Sequence, residues 1–303
     1  MTSLSRIACA RETNREFLDK IDGWVEQAVR DRGLSFQEIL ELLPSVYPAE
    51  VIAALSRLEK RGTISTSFRF GILKSVRTER TPTSGKTILS SQCARIEHPL
   101  DFEWLFTREG NKTLATQLNK FSKGSPGKVL AIGCPTFFSY AKSARLRYQV
   151  DLWDKNATAV GQVREARALA QASETREAIT AAVLDPPWYL DFYKVFIGLA
   201  VRNLPVGGRV LLSFPPEGTR PTALADLAQL LAWCRGIGVD FVAHRRTILR
   251  YRTPFFEVNA LRAQGLRNVP LDWRRGDLIV LEKRASIAPP IERICLPAGD
   301  WSE

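Results

Sequence analysis

The 303-residue chain is 45% hydrophobic and 25% charged, a balance that excludes a disordered or fibrous protein and supplies core material for one large domain or two modest ones. Lys and Arg outnumber Asp and Glu by 43 to 32, and the net charge of +11 points to a polyanionic partner, nucleic acid first, with a solvated basic surface as the plain alternative. Five scattered cysteines without a C-x-x-C spacing, two histidines and no apolar run of about 18 residues argue against a metal site, a disulfide framework or a membrane span, and predict a reducing, cytosolic compartment.

Residues 12–31 carry Phe17, Ile21, Trp24 and Val25 at helical spacing. Ser35-Phe36-Gln37-Glu38 has the capping-box pattern of a second helix, which Pro44 stops. Pro48 opens a third helix with Val51, Ile52, Leu55 and Leu58 inward, ending in Arg57, Lys60, Arg61 and Gly62. From Thr63 the pattern alternates like a strand, and up to residue 90 it holds Arg69, Lys74, Arg77, Arg80 and Lys86 against Glu79 alone. The layout resembles a winged helix with a basic hairpin as wing, which implies nucleic-acid contact; a helical cap for dimerisation or docking is the other reading. Residues 91–127 form a connector whose aromatic stretch 99–107 predicts packing on the second domain and whose 111–122 segment reads as a helix.

Beyond Lys128 short apolar runs alternate with helical stretches, which argues for an α/β fold, a doubly wound and mostly parallel sheet. Val129–Ile132 is a strand and Gly133-Cys134-Pro135-Thr136 its turn; Gln149–Trp153 is the next strand and ends on Asp154, 21 residues beyond Gly133. That offset suits a carboxylate gripping ribose hydroxyls in a nucleoside-binding βαβ unit. A helix over 160–177 leads to a buried strand that delivers Asp185 at its carboxyl end, followed by Pro186, Pro187, Trp188 and Tyr189. The prolines forbid continuation of the strand but keep their carbonyls. Asp185 and the Pro186 carbonyl together would grip a planar group bearing an NH2, with Trp188 as a flat cover. A helix over 188–203, Pro205-Val-Gly207-Gly208, a strand over 209–214, a helix over 221–235, a run at 239–253 and a strand over 277–282 complete the series.

The order of glycine turn, acid, Asp-Pro-Pro-aromatic, helix, Pro-x-Gly-Gly and strand, over residues 128–283, resembles the class I S-adenosylmethionine-dependent methyltransferases, and within them the N6-adenine methyltransferase-like family. The resemblance implies S-adenosylmethionine as cofactor, held by Ala131, Gly133, Cys134, Pro135 and Asp154, with Asp185, Pro186, Pro187 and Trp188 as the catalytic motif. It implies methylation of an exocyclic amino group, adenine in DNA or RNA before a protein lysine. Only Gly133 remains of the family's G-x-G-x-G turn, which keeps open a third reading, a fold that no longer catalyses and binds nucleic acid or a partner. Tyr189, Arg245, Arg246, Phe255 and Phe256 are the substrate-binding candidates: four arginines between 245 and 252, with aromatics following, suit a phosphate track beside an extruded base. The same run also reads as an exposed strand edge with the phenylalanines anchoring the next helix. Trp153 either covers the cofactor adenine or lies in the core, and Cys134 reads as a small buried residue. The expected organisation is a winged-helix-like domain over 1–90, a connector over 91–127, the methyltransferase-like domain over 128–285 and a tail over 286–303.

Overall fold

A computed structural model of the chain describes residues 3–30, 34–64, 104–121, 127–154, 179–263 and 271–286. In chain order its helices are α1 (Ser3–Val29), α2 (Phe36–Leu42), α3 (Pro48–Lys60), α4 (Arg108–Phe121), α5 (Pro135–Ser143), α6 (Leu190–Asn203), α7 (Ala223–Gly236) and α8 (Phe255–Ala263). Its strands are β1 (Lys128–Ile132), β2 (Val150–Trp153), β3 (Ile179–Leu184), β4 (Arg209–Phe214), β5 (Val239–Arg250) and β6 (Arg275–Lys283). The chain divides into two compact units. The first gathers Met1–Thr107, Pro215–Leu224 and Arg250–Gly276; the second gathers Arg108–Phe214, Ala225–Leu249 and Asp277–Glu303.

In the first unit, α1 starts well before the helix expected from residue 12. At α2 the capping box forms: Glu38 N–H donates to Ser35 Oγ at 3.3 Å and Ser35 N–H to the Glu38 carboxylate at 2.6 Å. The apolar faces of the three helices meet through Ile21, Val25, Ile39, Leu40, Val51, Leu55 and Leu58, and Leu261 of α8 and Trp273 complete this core. Two basic residues at the end of α3 are engaged by α1. Arg57 Nη2 lies 2.6 Å and Arg61 Nη1 3.2 Å from the carboxylate of Asp22, which is 3% exposed. Residues 65–90, the expected wing, lie outside the described residues.

The second unit is built on a six-stranded sheet of order β2-β1-β3-β4-β6-β5. Pairings across β2, β1, β3 and β4 are parallel, and β6 runs antiparallel to β4, so the sheet is mixed but mostly parallel. Side chains alternate across a sheet, and one face presents Leu130, Ile132, Ala182, Leu184, Val210, Leu212, Phe214, Ile279 and Leu281 to α6 and α7 in a single core. Helix α5 packs on β1 and β2, and α4 packs on β4 and on α5. Their buried Leu114, Leu118, Phe137 and Phe138 are not part of the α6–α7 core, so they cover the sheet's other face. Lys283 fastens the end of α6, its ammonium donating to the carbonyls of Val201 (2.8 Å) and Leu204 (2.7 Å). Edge strand β5 has a left-handed residue, Thr247 (φ 53°), whose N–H donates to Asp277 Oδ1 at 2.7 Å while His244 Nε2 lies 2.6 Å from Oδ2.

Candidate active site

Strands β1, β2 and β3 end level with one another, because Ile132 is in register with both Trp153 and Leu184. Gly133, Asp154 and Asp185 are each the next residue. Backbone bonds hold the three exits together: Gly133 N–H donates to Trp153 O at 2.9 Å and Asp185 N–H to Ile132 O at 3.1 Å. The glycine is required twice over. It sits at φ 68°, in the left-handed region that side chains disfavour, and a Cβ there would lie 2.8 Å from the Asp185 carbonyl oxygen and 3.1 Å from Phe196 Cε1.

Ala131 is buried in β1, and Pro135 opens α5 at the position where a missing N–H costs no helical bond. Cys134, at the helix N-cap, is 1% exposed, and its thiol lies 3.4 Å from Ile132 O and 3.6 Å from Val183 O. Burial first, then the charges of Asp185 and Asp154, push this thiol well above its ordinary range, which makes it a packing residue and not a nucleophile. Trp153 is 9% exposed and packs in the core on the α6–α7 face of the sheet.

Asp185 and Asp154 are half-buried, and the Asp185 carboxylate accepts the Ser213 hydroxyl at Oδ1. Pro186 is buried and Pro187 exposed; Trp188 packs partly on the core beside Leu190 and Phe196, and Tyr189 is 66% exposed at the start of α6. Arg245 and Arg246 are exposed on β5, three strands from β3 and therefore about 14 Å across the sheet at ordinary strand spacing. Phe255 and Phe256 open α8 in the first unit. The structure thus groups Gly133, Cys134, Asp154, Asp185 and Pro186, and it does not bring the two arginines to them. Sequence reasoning missed Phe196 and Ser213 as members of this group. Ser213 left a signal, as the one polar side chain in an otherwise apolar strand interior.

The strand ends carry two half-buried acids, Asp154 and Asp185, while Asp191 on α6 is exposed and lies 3.9 Å from the ammonium of Lys194. Among the described residues no cluster of three or more His, Cys, Asp and Glu could hold a metal ion. The acceptors at hand, the carboxylates of Asp154 and Asp185 and the Pro186 carbonyl, suit N–H and O–H groups and cations.

No family model and no curated protein matches the sequence. Among solved structures, the C9 mutein of the branched-chain polyamine synthase from Thermus thermophilus, in complex with N4-aminopropylspermidine and 5′-methylthioadenosine, is similar at TM-score 0.59 and 14% identity, over 93% of this chain and 94% of that one. The same synthase without the C9 changes, with the same two ligands, gives TM-score 0.56 and 12% identity over the same shares. A more distant likeness, TM-score 0.32 and 17% identity over 59% of this chain and 41% of that one, is to the Thermus thermophilus 16S rRNA N2 G1207 methyltransferase in complex with AdoMet and guanosine. At such identities the similarity to the synthase is one of fold, and it runs through both units: a mostly parallel α/β sheet together with the segments that make up the first unit.

Proposed function

We propose that the chain moves an alkyl group from an S-adenosyl sulfonium donor to an amino nitrogen, with Asp185 and the Pro186 carbonyl as the grip on that nitrogen. The observation that carries this reading is the level ending of β2, β1 and β3, which sets Asp154, the Gly133 turn and Asp185 side by side. Asp154 suits the two hydroxyls of a ribose, and the left-handed turn at Gly133, free of a side chain, lets the Asp185 carbonyl of β3 pack directly against the end of β1. The donor would supply a carbon already activated by positive sulfur, which leaves as a neutral thioether. Asp185 takes a proton from an acceptor that arrives as an ammonium, which frees the nitrogen lone pair; the C–N bond forms as the C–S bond breaks, and the positive charge passes from sulfur to the alkylated nitrogen. Trp188, fixed against the core, supports the acceptor from the side.

For the acceptor we favour an aliphatic amine. The acids at the strand ends attract a cation, and the fold likeness over both units is to a synthase held with an aminopropylated polyamine and 5′-methylthioadenosine, the thioether left when the sulfonium gives up its carbon chain instead of its methyl group. The second reading, methyl transfer to the amino group of adenine in DNA or RNA, draws on the Asp-Pro-Pro-Trp motif and the net charge of +11. A protein lysine would satisfy the same grip. Calorimetry with S-adenosylmethionine and with its decarboxylated form, followed by mass spectrometry of spermidine, oligonucleotide and cell protein incubated with each, separates the readings. Binding of the decarboxylated donor and an added aminopropyl mass on spermidine are expected; binding of neither donor at millimolar concentration would leave only a non-catalytic scaffold.

A further inference from the structure

We infer that Ser213 is a positioning residue for Asp185, its hydroxyl fixing the orientation in which the carboxylate meets the acceptor nitrogen; this rests on the role proposed for Asp185. Strand β4 reads Arg-Val-Leu-Leu-Ser-Phe and every residue of it is buried, Ser213 to 1% exposure. A hydroxyl placed there must find a partner, since a buried unsatisfied donor is costly. The parallel register of β3 and β4 pairs Leu184 with Leu212, which leaves Asp185 level with Ser213 on the neighbouring strand. Adjacent strands are about 4.8 Å apart, so two short side chains on the same face meet across that gap, and the Ser213 hydroxyl donates to Asp185 Oδ1.

The consequence is geometric and electrostatic together. A free carboxylate turns about its last bond, whereas one bonded at Oδ1 is held in a single orientation. A hydrogen bond given to a carboxylate favours its ionised form, so removing the Ser213 hydroxyl is expected to move the titration of Asp185 upward. Strand β4 therefore contributes a working group, although the motif residues all follow β3.

The test uses the full chain with Ser213→Ala and Ser213→Thr, the second of which restores a hydroxyl. With the donor and acceptor that the wild type uses, Ser213→Ala is expected to lower kcat about tenfold, the effect of losing roughly one such bond in the transition state. Donor affinity should stay unchanged, the acidic limb of the kcat–pH profile should move to higher pH, and Ser213→Thr should recover most of the rate. Carbon-13 NMR of the Asp185 carboxyl, titrated in the protein without donor, reads the same contact with no turnover: Ser213→Ala should shift its titration upward. Superimposable carboxyl titrations in the wild type and Ser213→Ala would overturn the inference even if no acceptor is ever alkylated. Absence of any transfer by the wild type would instead count against the proposed function.

Discussion

Asp154 and Asp185 lie at the ends of neighbouring strands, yet each meets a different demand. Asp154 follows β2, where a ribose would sit, and Asp185 follows β3, where its carboxylate is bonded to Ser213 and its backbone to β1. The two single substitutions should therefore separate binding from chemistry. Asp185→Ala is expected to abolish transfer while donor affinity by calorimetry stays within severalfold. Asp154→Ala is expected to weaken the donor by about ten- to a hundredfold, the worth of a hydrogen bond to a charged group, with residual turnover at saturating donor. The opposite pattern would exchange their roles. The thiol of Cys134, between them, is kept neutral by its burial first and then by the same two acids, so it does not act as a nucleophile.

At the scale of the elements, the end of α3 looks like a nucleic-acid surface and acts as a clamp. Arg57 Nε and Nη2 both donate to Asp22, and Arg61 adds a third contact. Arg57→Ala leaves a nearly buried carboxylate with a single, more exposed guanidinium, and should cost about 1–3 kcal/mol in urea unfolding. The same variant should leave the salt dependence of DNA binding unchanged, because Arg57 neutralises Asp22 and not a phosphate; a shallower slope would return α3 to the nucleic-acid reading. What could be read in advance and what could not divides along the same line of local against distant. The Ser35–Glu38 cap, the Gly133 turn and the proline stop after Asp185 were legible because each is decided within a few residues of chain. The Asp22–Arg57 and Asp185–Ser213 pairs were not, because no local pattern selects one partner 35 or 28 residues away. The same holds for β6: its apolar run announces a strand, but not that it enters between β4 and β5 and so keeps Arg245 and Arg246 on the far edge. The expected helix over 160–177 lies outside the described residues.

At the scale of the whole molecule, the chain passes between its two units five times, at the junctions near residues 107, 214, 224, 249 and 276. The amino-terminal helices are therefore not an appended module that ends where the helices end. Their core is closed by Leu261 (2% exposed) and Trp273 (5%), which arrive some 150 residues later in the chain than the junction near 107. Trp273 meets Tyr47 at 5.4 Å and Trp104 at 5.8 Å between ring centroids. Next to it, Arg274 stacks 3.9 Å over Trp104, its charged form disfavoured by burial, and Arg275 N–H donates to Ser45 Oγ at 2.7 Å. Losing a buried Leu and a buried Trp from one small core removes about 5–10 kcal/mol, which is comparable to the entire stability of a typical domain. A fragment of residues 1–107 is thus expected to remain without fixed tertiary structure, with poor dispersion in its amide NMR spectrum, whereas the full chain unfolds in one cooperative thermal transition. Adding residues 250–276 back through a flexible Gly-Ser linker should restore dispersion, because the linker returns Leu261, Trp273 and Arg274 at high effective concentration. A well-folded 1–107 fragment would mean that the helices carry their own core and that the closing residues are dispensable.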